Sequence, residues 1–487
     1  MLLYHYRSID SALSEISDST FRFASCEDLN DPLETYLHVY WQGDKAAWEG
    51  LFRNYVCSLY YAIECYLLKA DGNELRNNTL MIDIERFDDV PMGNILKELG
   101  KEFLDDEKIH KLSSVYEDKQ LNVQRDELQM FLQIIHRKAL ELCIKKNRDN
   151  GLMPKDEADQ FLEHLTNGVD EKSQNAFDEV IDIIQSQKID DEKRYILSKI
   201  SEELCEDKIE LFYINEGLKD ESFLYPHNKE SENMDKRLVI KKGKDSVSSE
   251  SIQHRNWMML MVDFPKVYVN QLIHMLYPEC FIVCFSANNN NSAMWGNYAD
   301  HHKGVCLIYE TDEKQSIFVQ NRFIKAEKVV YKGEIIERNF FESFGCLKFP
   351  QIKKWLTGTD GISCCHDVFR DENEWREQYW KVYQMKNYRK LDSWANEEEY
   401  RLVIDNTFYD YSEPDKRILP YDFEALKGVI FGIETSEYDK LRIMKSLMKR
   451  KKVNKDFSFW QAEYDDKIQK IKVREKKLWK MKVMLGE

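Results

Sequence analysis

The chain has 487 residues, and its 70 Lys and Arg against 87 Asp and Glu give a formal net charge of -17 at pH 7. Hydrophobic residues make up 43% of the chain and only 18 Gly and 9 Pro are present, which excludes collagen-like and largely disordered classes. At roughly 150 residues per domain, this length predicts two or three domains, or one domain with a large insertion.

The first 36 residues are predicted to form strand, helix, strand and turn. A Ser begins the helix as its cap, and the Asn-Asp-Pro sequence favours the turn because Pro disfavours α conformation in the residue before it. His5 and Arg7 interrupt the apolar run that a secretion signal needs, so we expect a cytoplasmic protein. The four segments are LLYHYR, SIDSALSEIS, TFRFAS and LNDPLE.

Residues 43–275 are predicted to be almost wholly helical. Apolar residues recur there at three- and four-residue spacing, as in AAWEGLFRNYVCSLYYAIECYLL and LQMFLQIIHRKALELCI. Gly-, Asn- and Ser-rich breaks separate the helices, at GNELRNN and KKGKDSVSSES among others. Acidic, amphipathic helices need other surfaces for their apolar faces, so we expect this insertion to recruit a partner protein. No stretch is long enough to cross a membrane, which needs ~20 apolar residues.

Strand patterns return after residue 280. They include CFIVCFS, GVCLIYE, EYRLVIDN and GVIFGI, and a late pair, FSFWQAEY and KIQKIKV. The intervening segment NEWREQYWKVYQMKN and the segment KAEKVVY are predicted to be a helix and a strand. Strands at both ends with helices between them predict an α+β fold, in which residues 1–42 and 276–487 form one split domain and 43–275 a helical insertion domain. An independent middle domain is the alternative.

The C-terminal segment is basic, whereas the rest of the chain is acidic. Residues 440–487 contain 16 Lys and Arg against six Asp and Glu, with the run Lys449–Lys452 as the most concentrated part. Such a segment can bind nucleic acid or an acidic partner. A solvated helix end is the alternative.

The 11 Cys include no CxxC pair, so we predict reduced thiols and no metal site, including at Cys364-Cys365-His366.

Several nucleotide-binding and protease signatures are absent from the sequence. It has no GxxxxGK[ST] loop, no GxGxxG after a strand and no HExxH. Three clusters of polar residues remain, all in the β-rich parts.

The first cluster combines the opening strand with the turn at 29–34, and alternation places His5 and Arg7 on one strand face with Tyr4 and Tyr6 on the other. A His and Arg on one face can grip a ribose hydroxyl or a phosphate, or can bridge to the turn.

The second cluster follows a strand that ends at Ser286. An Asn-rich loop, 288–291, leads into a short helix with Trp295 and Tyr298, and Gly304 begins the next strand. Trp295 and Tyr298 are three residues apart and therefore share a helix face. That face can be core, or a stacking wall for a planar ring such as nicotinamide or adenine.

The third cluster is the acidic entrance to a strand. Glu397 and Glu399 are predicted to share one face, and Glu398 to point away. Acidic residues that enter an apolar strand are costly to bury unless they are paired or catalytic. A salt bridge from Glu399 to Arg401, or to an Arg elsewhere in the chain, is the structural alternative to a catalytic role.

Taken together, these motifs resemble a known family. The order of LYHYRS, LNDPLE, CFS, MWGNYADHHKGVCL, WxxExEYR and GVIFG is similar to the bacterial domain-of-unknown-function family 2971. The resemblance covers roughly residues 1–36 and 275–465, and the helical middle is not part of the family's usual pattern.

The arrangement also resembles the ADP-ribosyltransferase fold, which implies an enzyme that consumes NAD. That likeness implies modification of a protein or nucleic-acid target, or NAD hydrolysis, in a setting such as anti-phage defence. Its enzymes bind NAD without a Gly-rich phosphate loop. By the resemblance, His5 or Arg7 holds the NAD ribose or pyrophosphate, Ser286 marks the central strand, Trp295 and Tyr298 lie against the cofactor, Glu399 stabilises the cationic sugar and Glu397 positions the acceptor.

Two other functions remain open from the sequence. One is a non-catalytic module in which the same residues bind a nucleotide or a protein. The other is a nucleic-acid-processing enzyme that depends on Mg²⁺ or Mn²⁺, whose ligands would be Glu397, Glu399, Asp300, His301 and His302.

Overall fold

The computed structural model describes most of the chain, in ten segments. These are residues 1–31, 34–68, 91–115, 121–167, 171–185, 192–200, 257–331, 335–449, 457–467 and 469–477. Some sequence predictions therefore lie outside the described residues: part of the turn at 29–34, the breaks at 72–78 and 241–251, and residues 450–452 of the basic run. None of the described helices is long and apolar enough to span a membrane.

Helices and strands both contribute extensively to the structure. The helices are α1 (Ile9–Asp18), α2 (Lys45–Leu67), α3 (Pro91–Leu104), α4 (Glu107–Ser114), α5 (Arg125–Asp149), α6 (Lys155–Asn167), α7 (Glu171–Gln185), α8 (Phe264–His274), α9 (Ser292–Tyr298), α10 (Phe349–Trp355), α11 (Glu372–Asn387) and α12 (Glu437–Met448). The strands are β1 (Leu2–Arg7), β2 (Thr20–Arg22), β3 (Ala24–Ser25), β4 (His38–Tyr40), β5 (Cys280–Ser286), β6 (Val305–Glu310), β7 (Ser316–Val319), β8 (Arg322–Lys325), β9 (Glu327–Lys328), β10 (Val330–Tyr331), β11 (Glu337–Asn339), β12 (Thr357–Gly358), β13 (Gly361–Ile362), β14 (Arg389–Lys390), β15 (Glu399–Asp405), β16 (Ile418–Pro420), β17 (Leu426–Phe431), β18 (Ser458–Asp465) and β19 (Lys470–Glu475).

The chain divides into two compact units. The sheet unit consists of Met1–His38, Pro278–Glu337 and Arg376–Glu487, and the helical unit consists of Val39–Tyr277 and Arg338–Trp375. The predicted mixture of helix and strand is confirmed, and the principal sheet is open. The helical unit also takes in 338–375, which the sequence analysis places with the β-rich part.

Residues 338–375 join the helical unit because polar side chains of α2 bind their backbone. Arg53 donates hydrogen bonds to the carbonyl oxygens of Thr357 and Lys354, at 3.0 and 2.8 Å. Glu49 accepts from the backbone N–H and hydroxyl of Thr359. These contacts satisfy backbone groups of a segment whose own strands are only two residues long.

The sheet unit is built on one open sheet of nine strands. Its order is β19-β18-β17-β6-β1-β5-β15-β9, and β3 pairs with β5 off this path. The neighbours β17 and β18 run parallel, and β1 runs antiparallel to both β5 and β6. The register places Tyr4 opposite Ser286, and Ser286 opposite Glu399, so these three residues share one face.

The two faces of this sheet carry separate cores. The α1 face packs Leu3, Phe285 and Leu307 against Ile16 of α1 and Ile443 of α12. The α9 face packs Tyr6, Cys306 and Ile430 against Trp295 and Met294 of α9.

Several local predictions for the sheet unit are confirmed. Ser8 caps α1, since its side chain accepts a hydrogen bond from the backbone N–H of Ser11. The late pair of strands forms the antiparallel pair β18 and β19. By contrast, TFRFAS divides into two short strands, because β2 pairs with β16 while β3 pairs with β5.

Gly304 is required where the chain enters β6. A Cβ at this position would lie 2.2 Å from the backbone oxygen of Arg7 and 2.9 Å from that of Ala299, and neither backbone atom can turn aside. We therefore expect Gly304→Ala to lower the free energy of unfolding of the sheet unit by about 1–3 kcal/mol or more. Gly296 in α9 is the matched control, because a Cβ there meets nothing within 4 Å.

Gly296→Ala should instead stabilise by about 0.5–1 kcal/mol, since Ala loses less backbone entropy in a helix than Gly does. Urea denaturation of the two variants measures the difference. Equal effects of the two substitutions would contradict this account.

Candidate functional site

Five charged side chains meet on the α9 face of the sheet, and we call them the ion cluster. Its members are Glu34, Lys390, Glu397, Glu399 and Arg401, each at most 6% exposed. Lys390 Nζ donates to Glu397 Oε2 at 2.7 Å and to Glu399 Oε2 at 3.2 Å. Arg401 Nε donates to Glu399 Oε1 at 2.7 Å, and its guanidinium also binds Glu34. Burial of these charges is tolerable because each of them is paired.

The backbone around Glu398 brings the two carboxylates together. Glu397 ends a short 3₁₀ helix, Asp392–Glu397, and Glu399 begins β15. Glu398 between them adopts a left-handed conformation with φ of 46°, and its exposed side chain accepts from Asn288 Nδ2. Glu397 and Glu399 therefore converge on one lysine, although only Glu399 belongs to the strand.

Burial and pairing shift the pKa values of Lys390 and Glu399 in the ion cluster. Burial acts to lower the pKa of Lys390, but attraction to Glu399 and the hydrogen bond to Glu397 outweigh it and raise that pKa. Burial raises the pKa of Glu399, and Lys390 acts in the opposite direction. Burial and the charge of Glu399 raise the pKa of Cys284, which keeps its thiol protonated beside that carboxylate.

Three half-buried aromatic side chains flank the carboxylates. Tyr298 donates its hydroxyl to Glu397 Oε1 at 2.7 Å, and Tyr331 accepts from the backbone N–H of Glu399 at 2.7 Å. The ring of Trp394 lies 4.8 Å from Lys390 Nζ. Burial and the neighbouring Glu397 raise the pKa of Tyr298, so its hydroxyl remains a donor. The site thus combines a fixed carboxylate pair with partly exposed planar rings.

Ser286 and Trp295 support this site from within. Ser286 Oγ donates to the backbone oxygen of Glu397 at 2.7 Å and accepts from Asn288 N–H at 2.9 Å. Its side chain is fully buried, so it positions the turn that carries Glu397. Trp295 is also fully buried, packs edge-on against Tyr6 and donates its indole N–H to the Asn289 oxygen. Trp295 is therefore core, and the predicted stacking wall retains Tyr298 alone of the two.

His5 and Arg7 do not join this site. Alternation along β1 turns them to the α1 face, opposite to the face of Tyr4, Ser286 and Glu399. Both bind Glu15 of α1: His5 Nδ1 lies 3.0 Å from Oε1, and Arg7 Nε donates to Oε2 at 2.9 Å. The sheet lies between these two residues and the carboxylates Glu397 and Glu399. This placement corrects the expectation that His5 or Arg7 binds the NAD molecule on which the carboxylates act.

The metal-dependent alternative finds no ligand set in the part of the chain that the structure describes. There, no group of three or more His, Cys, Asp or Glu side chains could hold a metal ion. Asp300, His301 and His302 form a turn of consecutive left-handed residues, with φ of 45°, 52° and 69°. Glu397 and Glu399 are directed at Lys390 and Arg401 instead.

A groove of about 550 Å³ opens on the same α9 face. Its floor is apolar, with Ile308, Ile430 and Ile471. The polar and aromatic lining consists of Tyr4, Asn289, Asn290, Lys427, Ser458, Trp460, Lys470 and Lys472.

The Asn-rich loop lies between this groove and the ion cluster. Asn289 and Asn290 line the groove. Asn288 binds the Glu398 side chain, and Asn291 Nδ2 donates to the backbone oxygen of Asn396. One loop therefore shapes both the groove and the turn that presents Glu397.

Sequence reasoning identified both carboxylates but missed the lysine between them. Lys390 follows Arg389 in the two-residue strand β14, and no pattern in its neighbourhood marks it as buried. Glu34 is the last residue of the LNDPLE motif, and the sequence alone predicts no role for it. Arg401 was anticipated only as the partner of Glu399, and that ion pair is present in the structure.

Comparison with known proteins supports the family resemblance over part of the chain. A family model described as "Protein of unknown function (DUF2971)" matches residues 294–402. That range includes Tyr298, Lys390, Glu397 and Glu399. No curated protein and no solved structure matches the chain.

Arg401 should be a principal determinant of the stability of the sheet unit. Arg401→Met removes one of the two cations that Glu34 and Glu399 share, the other being Lys390, and removal of one partner from a buried ion pair typically costs about 3–5 kcal/mol. Arg442→Met is the control, because Arg442 pairs with Asp10 and Asp439 at the surface and little change is expected. Urea denaturation compares them, and similar losses in both variants would show that Arg401 is not a buried anchor.

Glu15 should make the sheet unit sensitive to acid. Burial acts to raise its pKa, but His5, Arg7 and Tyr309 outweigh it and lower the pKa from 4.5 to about 2. A folded-state pKa below the unfolded value stabilises fully above about pH 4.5, and this contribution of about 3 kcal/mol is lost as the pH falls towards 2.

The test compares the wild type with Glu15→Gln by thermal denaturation between pH 7 and pH 2. The difference in melting temperature between them should narrow below pH 4.5, because the ionised carboxylate no longer contributes. A difference that stays constant with pH would refute the role of the charge.

Proposed function

We propose that the sheet unit is an NAD-consuming enzyme, which breaks the nicotinamide–ribose bond and transfers ADP-ribose to a protein, a nucleic acid or water. The observation that carries the proposal is the fixed carboxylate pair, Glu397 and Glu399, beside partly exposed aromatic rings. The resemblance to ADP-ribosyltransferases supplies the reaction class, and the arrangement on the α9 face is compatible with its chemistry.

The reaction needs a carboxylate that faces a developing cation. As the glycosidic bond breaks, nicotinamide leaves with the bonding electron pair, and positive charge develops at C1 of the ribose. A preorganised carboxylate stabilises that charge. The acceptor oxygen or nitrogen then bonds to C1 and loses its proton.

The contacts favour Glu397 for this role. Its Oε1 meets the hydroxyl of half-buried Tyr298, which brings it to the edge of the site. Both oxygens of Glu399 are held by cations, Oε1 by Arg401 and Oε2 by Lys390. We therefore assign the positioning role to Glu399, which keeps Lys390 in place. This assignment reverses the roles that the resemblance implies for the two carboxylates.

The residues on the α9 face are compatible with the parts of NAD. Tyr298, Tyr331 and Trp394 offer planar surfaces for nicotinamide beside Glu397. The groove beyond the Asn-rich loop offers Trp460 for an adenine ring and lysines for phosphate, and its volume is typical of small-molecule sites, about 300–1,000 Å³. His5 and Arg7 have no part in this assignment.

A second candidate is a non-catalytic module that binds a nucleotide. The observation that favours it is the pairing within the ion cluster, since every carboxylate there already has a cationic partner. Structural ion clusters have this property as well. In that case the groove alone would carry the function.

Release of nicotinamide from NAD by the full chain tests the proposal. We expect turnover in the wild type and a loss of about 10²–10³-fold in Glu397→Gln, because the amide keeps the shape but removes the charge. Glu398→Gln is the matched control: the neighbouring side chain is exposed, and its variant should retain activity. The melting temperature of each variant separates a catalytic loss from unfolding.

Two outcomes would decide against the enzyme. Wild-type turnover in Glu397→Gln would remove this carboxylate from the mechanism. Saturable binding of NAD by the wild type without release of nicotinamide, together with loss of that binding in Trp460→Ala, would support the second candidate instead.

A further inference from the structure

Two cysteines of the sheet unit lie in contact although 254 residues separate them in sequence. The Sγ atoms of Cys26 and Cys280 are 3.3 Å apart, and both are free thiols. Ser25, the last residue of β3, lies directly opposite Phe281 of β5, and the cysteines adjoin this pair, Cys26 just after β3 and Cys280 at the start of β5. Opposed residues of antiparallel strands have Cα atoms about 4.5–5.5 Å apart, which a disulfide can span.

The two thiols have different surroundings. Cys26 is partly exposed, whereas Cys280 is buried and its Sγ lies 3.2 Å from Asn387 Oδ1. The hydrogen bonds with Cys280 and Thr35, together with the charges of Lys386 and Arg401, outweigh burial and lower the pKa of Cys26 to about 6. The pKa of Cys280 is raised by its contact with Cys26 and by burial. A partly exposed thiol with a lowered pKa therefore lies beside a buried thiol with a raised pKa.

Four other cysteines of the chain contrast with Cys26. Burial raises the pKa of Cys57, Cys143, Cys284 and Cys306. These four are consequently poor nucleophiles at neutral pH. An accessible thiolate next to a second thiol is the arrangement of peroxide-sensitive cysteine pairs.

We infer that Cys26 and Cys280 form a peroxide-responsive thiol pair that closes reversibly to a disulfide. The thiolate of Cys26 attacks one oxygen of hydrogen peroxide, the O–O bond breaks, and a sulfenic acid and water form after uptake of a proton. Cys280 sulfur then attacks the Cys26 sulfur, the S–O bond breaks, and hydroxide leaves as water with the proton of the Cys280 thiol. Both sulfurs are oxidised by one electron and one peroxide is reduced to two waters. A thiol reductant reverses the change.

The disulfide would act on the ion cluster through the N-terminal segment. Cys26 begins a short 3₁₀ helix, Cys26–Asp28, and the chain continues to Glu34, which binds Arg401. Oxidation would tie this segment to β5 and remove the thiolate charge that interacts with Arg401. The inference rests on the geometry of the two thiols and is independent of the proposed enzyme.

Peptide mapping of the full chain tests this inference. The reduced protein is freed of reductant, exposed to hydrogen peroxide, and alkylated after denaturation before digestion and mass spectrometry. We expect a crosslinked peptide pair that contains Cys26 and Cys280, lighter by two hydrogen atoms than the two reduced peptides. Dithiothreitol should abolish it. Cys346→Ser is the matched control, because exposed Cys346 should not affect the crosslink.

The variant Cys280→Ser separates the two steps. It should yield no crosslink, and dimedone should label Cys26, because the sulfenic acid persists when the second thiol is absent. Peptide mapping of the wild-type chain does not depend on whether any variant folds. Failure of Cys26 and Cys280 to crosslink under conditions that oxidise Cys26, or a crosslink that dithiothreitol does not reverse, would overturn the inference.

Discussion

The ion cluster is the constraint on which the sheet unit depends. It joins the N-terminal segment through Glu34 to the strands that carry Lys390, Glu399 and Arg401, although these positions are far apart in the sequence. Charges in a low-dielectric interior are tolerated only when geometry and hydrogen bonds compensate for their lost hydration. Folding of this part of the sheet unit therefore requires segments that are distant in the sequence to pack around the ion cluster at the same time.

The sheet keeps two buried charge systems apart. On the α1 face, Glu15 binds His5, Arg7 and Tyr309. On the α9 face, the ion cluster has Tyr298, Tyr331 and Trp394 at its edge. Since the two systems lie on opposite faces of one sheet, the face to which a strand residue points decides which of them its side chain can join.

The Asn-rich loop connects the groove and the ion cluster on the α9 face. Short amide side chains bind backbone and carboxylate groups on one side, at Asn288 and Asn291, and leave Asn289 and Asn290 at the groove. Ser286, at the end of β5, fixes both the start of this loop and the turn at Glu397. The groove and the carboxylates are thus supported by one polar connection.

The sequence by itself determined the local features: the Ser8 cap, the alternation along β1, the late strand pair and the acidic entrance to β15. These depend on propensities and periodicities that act over a few residues. Tertiary structure alone decided that Glu15 receives His5 and Arg7, that Lys390 lies between Glu397 and Glu399, that Trp295 is core, and that 338–375 joins the helical unit. The physical reason is that a buried charge takes its partner from whichever strand or helix packs beside it, and the register between distant segments, which no local pattern encodes, selects that neighbour.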